Sequence, residues 1–470
     1  MSVGAARQAD GCRVCRVGRG GTVLGVRLNR RQPAAEGIPL KPLRVIGRSA
    51  ALVLALLIGA LLLAPAPASA AGQGGRPWVG TWTTAPTTRP VSDTTTFQDQ
   101  TLRQVVHASV GGDALRVRFS NEFGTEPLVI GEARIARQDP EGPGSSVLPR
   151  TDRRLTFDGR AGVTVAPGER LVSDPVGLRI PAAADLVISV HLPERTPGAT
   201  LNAYANQENY VAAGNVADDA DIAPTATTDR WYFLTGVSVR GQARDAVVAL
   251  GDSITVGSTL SSNHRWSDFL AERMRAAGPR LPETGVLNAG ISGNRLLRDP
   301  NPPEGSPAHA WAAYFGQAGV TRFERDVLSQ PGIGHLILFL GINDIGQPGT
   351  RSAPASERVT AAELIAGYQG LVDRAHERGV RVIGATITPF RGDTLGFHTP
   401  ENEAVRLRVN DWIRNSGEFD AVADFEAAVR DPAEPDRLNP AYDSGDHLHL
   451  NDAGNEALAS AVPLDAFRHR

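Results

Sequence analysis

The sequence predicts a doubly wound parallel α/β sheet preceded by an all-β sandwich or jelly-roll-like module, and three observations carry that prediction. From about residue 78 to 243, short strand-like runs are broken by Gly, Pro, Asp and Asn. From 245 onward, apolar runs alternate with stretches of helical spacing. The chain has 470 residues, enough for each part to bury a core of its own.

Ahead of both lies a leader, residues 1–70. Arg44 and Arg48 precede an apolar run from Ala50 to Ala64, which is followed by Pro65, Pro67 and the small-residue site Ala68-Ser69-Ala70. That order is the one a secretory signal needs, and it predicts cleavage near Ala70 and export. The run is short of the about 20 apolar residues that span a bilayer, so no stable membrane anchor is expected after cleavage. Both cysteines, Cys12 and Cys15, lie upstream of that cleavage site. A single Cys-x-x-Cys pair without a second pair specifies neither zinc nor redox chemistry.

In the β module, residues 78–243, "ALRVRFSNEFG" alternates Leu115, Val117 and Phe119 with Arg116 and Arg118, giving one apolar and one wet face. "DLVISVHLP" (185–193) and "WYFLTGVSV" (231–239) read as further strands. Asp218, Asp219 and Asp221 lack a recognised calcium-ligand spacing and read as a solvated acidic turn.

In the α/β part, residues 245–470, the runs Ala246–Leu250, Val286–Leu287, Leu336–Leu340, Val380–Ile387 and Ala421–Ala423 are predicted strands. Trp266, Phe269, Leu270 and Met274, then Leu364, Ile365, Tyr368, Leu371 and Val372, then Val405, Val409, Trp412 and Ile413 form apolar stripes of intervening helices. Strands separated by helices imply a parallel sheet covered on both faces. "PNPPEGSP" (300–307) reads as a rigid surface loop near the site. The net charge of −3 with interspersed signs offers no basic stripe, so nucleic acid is not an expected partner.

The chemistry concentrates where these strands end. The first runs into "GDSITVG", placing Ser253 at the carboxyl edge of the sheet, where open α/β sheets bind ligands. A nucleophilic serine needs a base, a group that orients the base, and donors for the developing oxyanion. "LNAGISGN" offers Gly290, "LFLGINDIG" offers Asn343, and "SGDHLHLNDAG" offers Asp446 and His449. Taken singly, each reads as a turn or cap residue. Four segments ending together in the right residue types are hard to read as turns alone. His447 competes with His449 as the base, but it directly follows Asp446, and successive side chains of an extended segment point to opposite sides.

These four blocks resemble those of the GDSL or SGNH hydrolases, a family with a flavodoxin-like sheet. The resemblance runs from about 245 to 467, with Ile254 in place of the name-giving leucine. It implies Ser253 as nucleophile, Asp446 and His449 as its partners, and an oxyanion hole of Ser253, Gly290 and Asn343, with no metal and no cofactor. Thr255 stands where the nucleophile elbow of an α/β-hydrolase has glycine, which disfavours that other fold. The expected function is a secreted serine esterase acting on short O-acyl, above all acetyl, esters, with an acylated polysaccharide as substrate. The rival readings are a lipase or arylesterase of longer acyl preference and a glycan-binding protein with a vestigial hydrolase domain.

Overall fold

The computed structural model describes residues 76–468. The leader and the expected cleavage site near Ala70 lie outside the described residues.

The strand-rich part folds as antiparallel sheets. One is built on the strands Trp78–Thr83, Leu234–Arg240 and Gly112–Ser120, the other on Gln100–Ala108 and Ala184–Leu192. The alternation in Gly112–Ser120 does what its sequence predicts. Leu115, Val117 and Phe119 are fully buried, while Arg116 stays partly exposed and lies over the Trp78 ring, 4.4 Å from its centroid. Leu186, Ile188 and Ile135 of the second sheet join the same core.

In the second half, five parallel strands form one sheet: β1 (Asp245–Gly251), β2 (Thr284–Gly290), β3 (Ile333–Phe339), β4 (Arg381–Ala385) and β5 (Ala421–Ala423). Their order is β2-β1-β3-β4-β5. The longest helices are α1 (Trp266–Ala276), α2 (Ala361–His376), α3 (Pro400–Asn415) and α4 (Asp452–Ala461), and α1 packs with α4 and α2 with α3. The chain steps one way from β1 to β2 and the other way from β3 to β5. Right-handed crossovers in opposite directions put helices on both faces and leave a crevice between the carboxyl ends of β1 and β3. The α1 stripe buries Trp266, Leu270 and Met274, and α2 starts at a capping box in which Thr360 and Glu363 satisfy each other's backbone N–H.

The two halves share one hydrophobic core, and the described residues belong to one compact unit. Gly80 N–H donates to the Pro331 carbonyl at 2.8 Å, Val286 N–H to Ser109 Oγ at 3.0 Å, and Arg118 to Gln330 Oε1 at 2.9 Å. Sheet edges and strand ends of one half thus complete the hydrogen bonding of the other. Among the described residues, no helix is long and apolar enough to cross a membrane.

Candidate active site

At the end of β1 the chain turns through Asp252 into a one-turn helix, Ser253–Val256. Asp252 is its N-cap: the side chain accepts the Ile254 N–H at 3.0 Å and the Asp252 carbonyl accepts the Val256 N–H at 3.0 Å. This turn sets Ser253 at the carboxyl edge of the sheet, half-buried. Asp252 itself is fully buried, and burial pushes its carboxyl up to about 7 despite the Ile254 N–H and the nearby His449.

His449 Nε2 lies 2.8 Å from Ser253 Oγ, and His449 Nδ1 lies 2.6 Å from Asp446 Oδ2. The loop achieves this by turning on the aspartate itself. Asp446 Oδ1 accepts the backbone N–H of Leu448 at 3.0 Å and of His449 at 2.8 Å, so the chain curls and the ring returns to the carboxylate. Burial works against the charge on Asp446, but the bonds from the His449 ring and backbone and from Leu448 N–H outweigh it. They hold the carboxyl far below the usual range. His447 adopts φ 61° and pairs with Asp443 at 2.5 Å, away from the serine.

Ser253, His449 and Asn343 line one cleft of about 610 Å³. Asn343 sits in the short helix Ile342–Gly346 just beyond β3. Gln347 Nε2 donates to Asn343 Oδ1 at 3.1 Å, which fixes the amide orientation, and Asn343 Nδ2 is left buried with no hydrogen-bond acceptor. A buried donor without a partner costs free energy unless a ligand meets it.

Gly290 departs from the expectation. It ends β2, but its N–H is already donated to Asn288 Oδ1 at 2.9 Å, and it does not line the cleft that holds Ser253. The residue of that segment that does line it is Gly293, three positions on. Gly293 has φ 74°, and a Cβ there would stand 2.3 Å from the Phe315 ring, so only glycine fits. Its N–H and that of Ser253 meet no acceptor among the described residues. Both glycines stand in the quoted block "NAGISGN", and placement at the strand end favours the first. The backbone leaves the sheet after Gly290, however, and reaches the cleft that holds Ser253 at Ser292 and Gly293.

Side chains that no local sequence pattern marks hold this arrangement. Arg322 is fully buried and donates to the carbonyls of Gly251 and Ala289, at the ends of β1 and β2, and to Asn294 Oδ1. Asp344, beside Asn343, accepts the N–H groups of Leu296 and Leu297 at 2.6 and 2.9 Å and so pins the Gly293 segment to the end of β3. Burial lifts the Asp344 carboxyl to about 6. The loop 300–307 does not reach the cleft, but the turns that follow it bring in Trp311 and Phe315. Tyr204, from the strand-rich half, lines the cleft as well.

No group of three or more His, Cys, Asp or Glu suited to a metal occurs among the described residues. Beside the acidic turn 218–221 lies the buried Arg103 guanidinium. It donates to the carbonyls of Ser145, Val216, Asp219 and Ala220.

Residues 249–457 match the family model described as GDSL-like lipase/acylhydrolase. Among solved structures, the chain is similar to an acetylxylan esterase from Geobacillus stearothermophilus, with 22% identity, 48% of this chain and 96% of that one covered, and a TM-score of 0.35. It is also similar to a GDSL-like lipase from Bacteroides thetaiotaomicron, with 15% identity, 47% and 86% covered, and a TM-score of 0.32. No curated protein matches the chain. The chain thus carries a GDSL-like lipase/acylhydrolase domain over residues 249–457, and that domain makes it a carboxylic ester hydrolase.

Proposed function

We propose that the protein hydrolyses short-chain O-acyl esters, acetyl esters above all, on a polysaccharide, through an acyl-enzyme on Ser253. The observation that carries the reading is the line Asp446–His449–Ser253, with contacts of 2.6 and 2.8 Å, ending beside the unpartnered Asn343 Nδ2. Ser253 Oγ attacks the ester carbonyl as His449 Nε2 takes its proton, and Asp446 holds the ring in the tautomer with Nδ1–H and stabilises the imidazolium. The oxyanion forms against Asn343 Nδ2 and the Ser253 and Gly293 N–H groups, donors that need no reorganisation to receive it. The alcohol leaves with the proton from His449. Water then attacks the acyl-enzyme with His449 again as base, and the acid leaves as Ser253 recovers its proton.

A polar lining around the serine, including Ser292, Thr350, Ser352 and Thr394, supports a hydroxyl-rich alcohol part. The leader that precedes residue 71 supports export, the setting in which a polysaccharide is met. A panel of aryl esters from acetate to palmitate, run beside acetylated xylan, tests the reading. Acetate release from xylan with a steep fall along the aryl series is expected. Faster cleavage of palmitate than of acetate would replace it with a lipase.

A further inference from the structure

The strand-rich half lies outside the matched domain, residues 249–457, yet it builds part of the cleft. Tyr204 follows the strand Thr200–Asn202 in a turn anchored on both sides. On one side, Tyr204 N–H donates to Asn202 Oδ1 at 3.2 Å, while Asn202 Nδ2 donates to Thr84 Oγ1 at 2.8 Å. On the other, Arg265 donates to the Ala205 carbonyl at 2.8 Å and Asn206 Nδ2 to the Gly257 carbonyl at 2.5 Å, just past the serine helix.

The Tyr204 ring meets Tyr314 edge to face, with centroids 6.0 Å apart. Tyr314 is held in turn from the strand-rich half. Its hydroxyl donates to Asp93 Oδ2 at 2.7 Å, Arg230 donates to both Asp93 Oδ2 and Tyr314 Oη, and the guanidinium lies 4.9 Å from the ring centroid. Beside Tyr314 in the chain, Trp311 and Phe315 line the cleft, and Phe315 packs on Gly293. Arg351 lies over Trp311 at 5.1 Å. The lining contains this one cation and no carboxylate. Tyr204, Trp311 and Arg351 offer aromatic faces and polar donors, whereas the segments near His449 contribute Leu395, Phe397 and Leu448.

We propose that Tyr204 contacts the sugar alcohol part of the ester and sets specificity for it, with Asp93 and Arg230 as positioning residues that hold its wall through Tyr314. The alcohol is a neutral or acidic sugar, since aromatic faces suit its C–H surface and no carboxylate in the lining attracts a cation. This rests on the esterase reading above.

The test measures kcat and KM for Tyr204→Ala, Tyr204→Leu and Asp93→Asn on acetylated xylan and on an aryl acetate, with thermal melting as a fold control. For the Tyr204 variants, the loss of kcat/KM on xylan should exceed that on the aryl acetate by about tenfold, chiefly through KM, the scale of one lost pocket contact. Asp93→Asn should move the same ratio in the same direction by a smaller factor. Equal losses on both substrates, or no change in the ratio, would overturn the assignment. If Tyr204→Ala does not fold, the ratio in Tyr204→Leu decides. Persistence of activity in Ser253→Ala marks instead a failure of the esterase reading itself.

Discussion

At the scale of single residues, the site depends on polar groups that the fold buries without full compensation. Asn343 keeps one amide hydrogen bond and leaves its other nitrogen without an acceptor, an arrangement that favours a ligand bearing negative charge. Asn343→Ala is expected to lower kcat by roughly 10²- to 10³-fold with a smaller change in KM, as for the loss of one oxyanion donor. A loss of tenfold or less with the fold intact would make it a turn residue only. Asp252 makes a prediction about pH. Its folded-state pKa of about 7 stands above the ordinary 3.8. The folded protein therefore binds more protons than the unfolded chain between these values, and this residue's contribution to stability falls as pH rises through that window and is constant outside it. Asp252→Asn keeps an oxygen for the Ile254 N–H but cannot ionise. From pH 4 to 8 its stability should gain on wild type, by on the order of 4 kcal/mol at most. Denaturant titrations at several pH values check this, and a difference independent of pH would contradict it.

At the scale of elements, strand ends and the loops beyond them decide which side chains meet. The five strands and the amphipathic helices were legible because burial leaves a period in the sequence, and all five apolar runs overlap sheet strands, Val380–Ile387 running past its strand, Arg381–Ala385, at both ends. Ser253 and Asn343 are legible because each follows a strand end, and Asp446 and His449 because they stand in the loop that leads into the last long helix, Asp452–Ala461. Gly290 and Gly293 are not told apart by the sequence because a strand end and the turn three residues later both carry glycine, and only tertiary packing shows which of them lines the cleft. Arg322 and Asp344 were illegible for another reason: buried ions that tie loops together leave no local pattern. Exchanging each glycine for alanine tests the corrected assignment. Gly293→Ala puts a Cβ into the Phe315 ring at φ 74° and is expected to cost about 1–3 kcal/mol in stability and to lower kcat well beyond that loss of fold. Gly290→Ala sets a Cβ 2.9 Å from Val256 N and should destabilise while the remaining folded enzyme keeps its kcat. The reverse order of kcat losses, by active-site titration, would restore Gly290 to the oxyanion hole.

At the scale of the whole molecule, the two halves are parts of one packed body rather than a catalytic domain with a detachable module. Val79, Val117, Val247 and Leu287 belong to one core, and strand-end hydrogen bonds cross between the halves. A chain beginning at 245 would expose that apolar surface and leave those donors without partners. It is expected to be insoluble or unfolded and to lose activity on aryl acetates and polysaccharide alike. A soluble, folded fragment with full aryl acetate activity would show the halves to be independent. The strand-rich half reads in sequence as an accessory module because alternation reports which face of a strand is buried, not what buries it.

In the proposed reaction Ser253 is the nucleophile and His449 the base that activates it. Peptide mapping by mass spectrometry after reaction with a fluorophosphonate tests it most directly. Wild type and His447→Ala should carry the adduct on Ser253 alone, and His449→Ala should react slower by several orders of magnitude because its serine has no base at 2.8 Å. An adduct on another serine, or rapid labelling in His449→Ala with its loss in His447→Ala, would contradict the account.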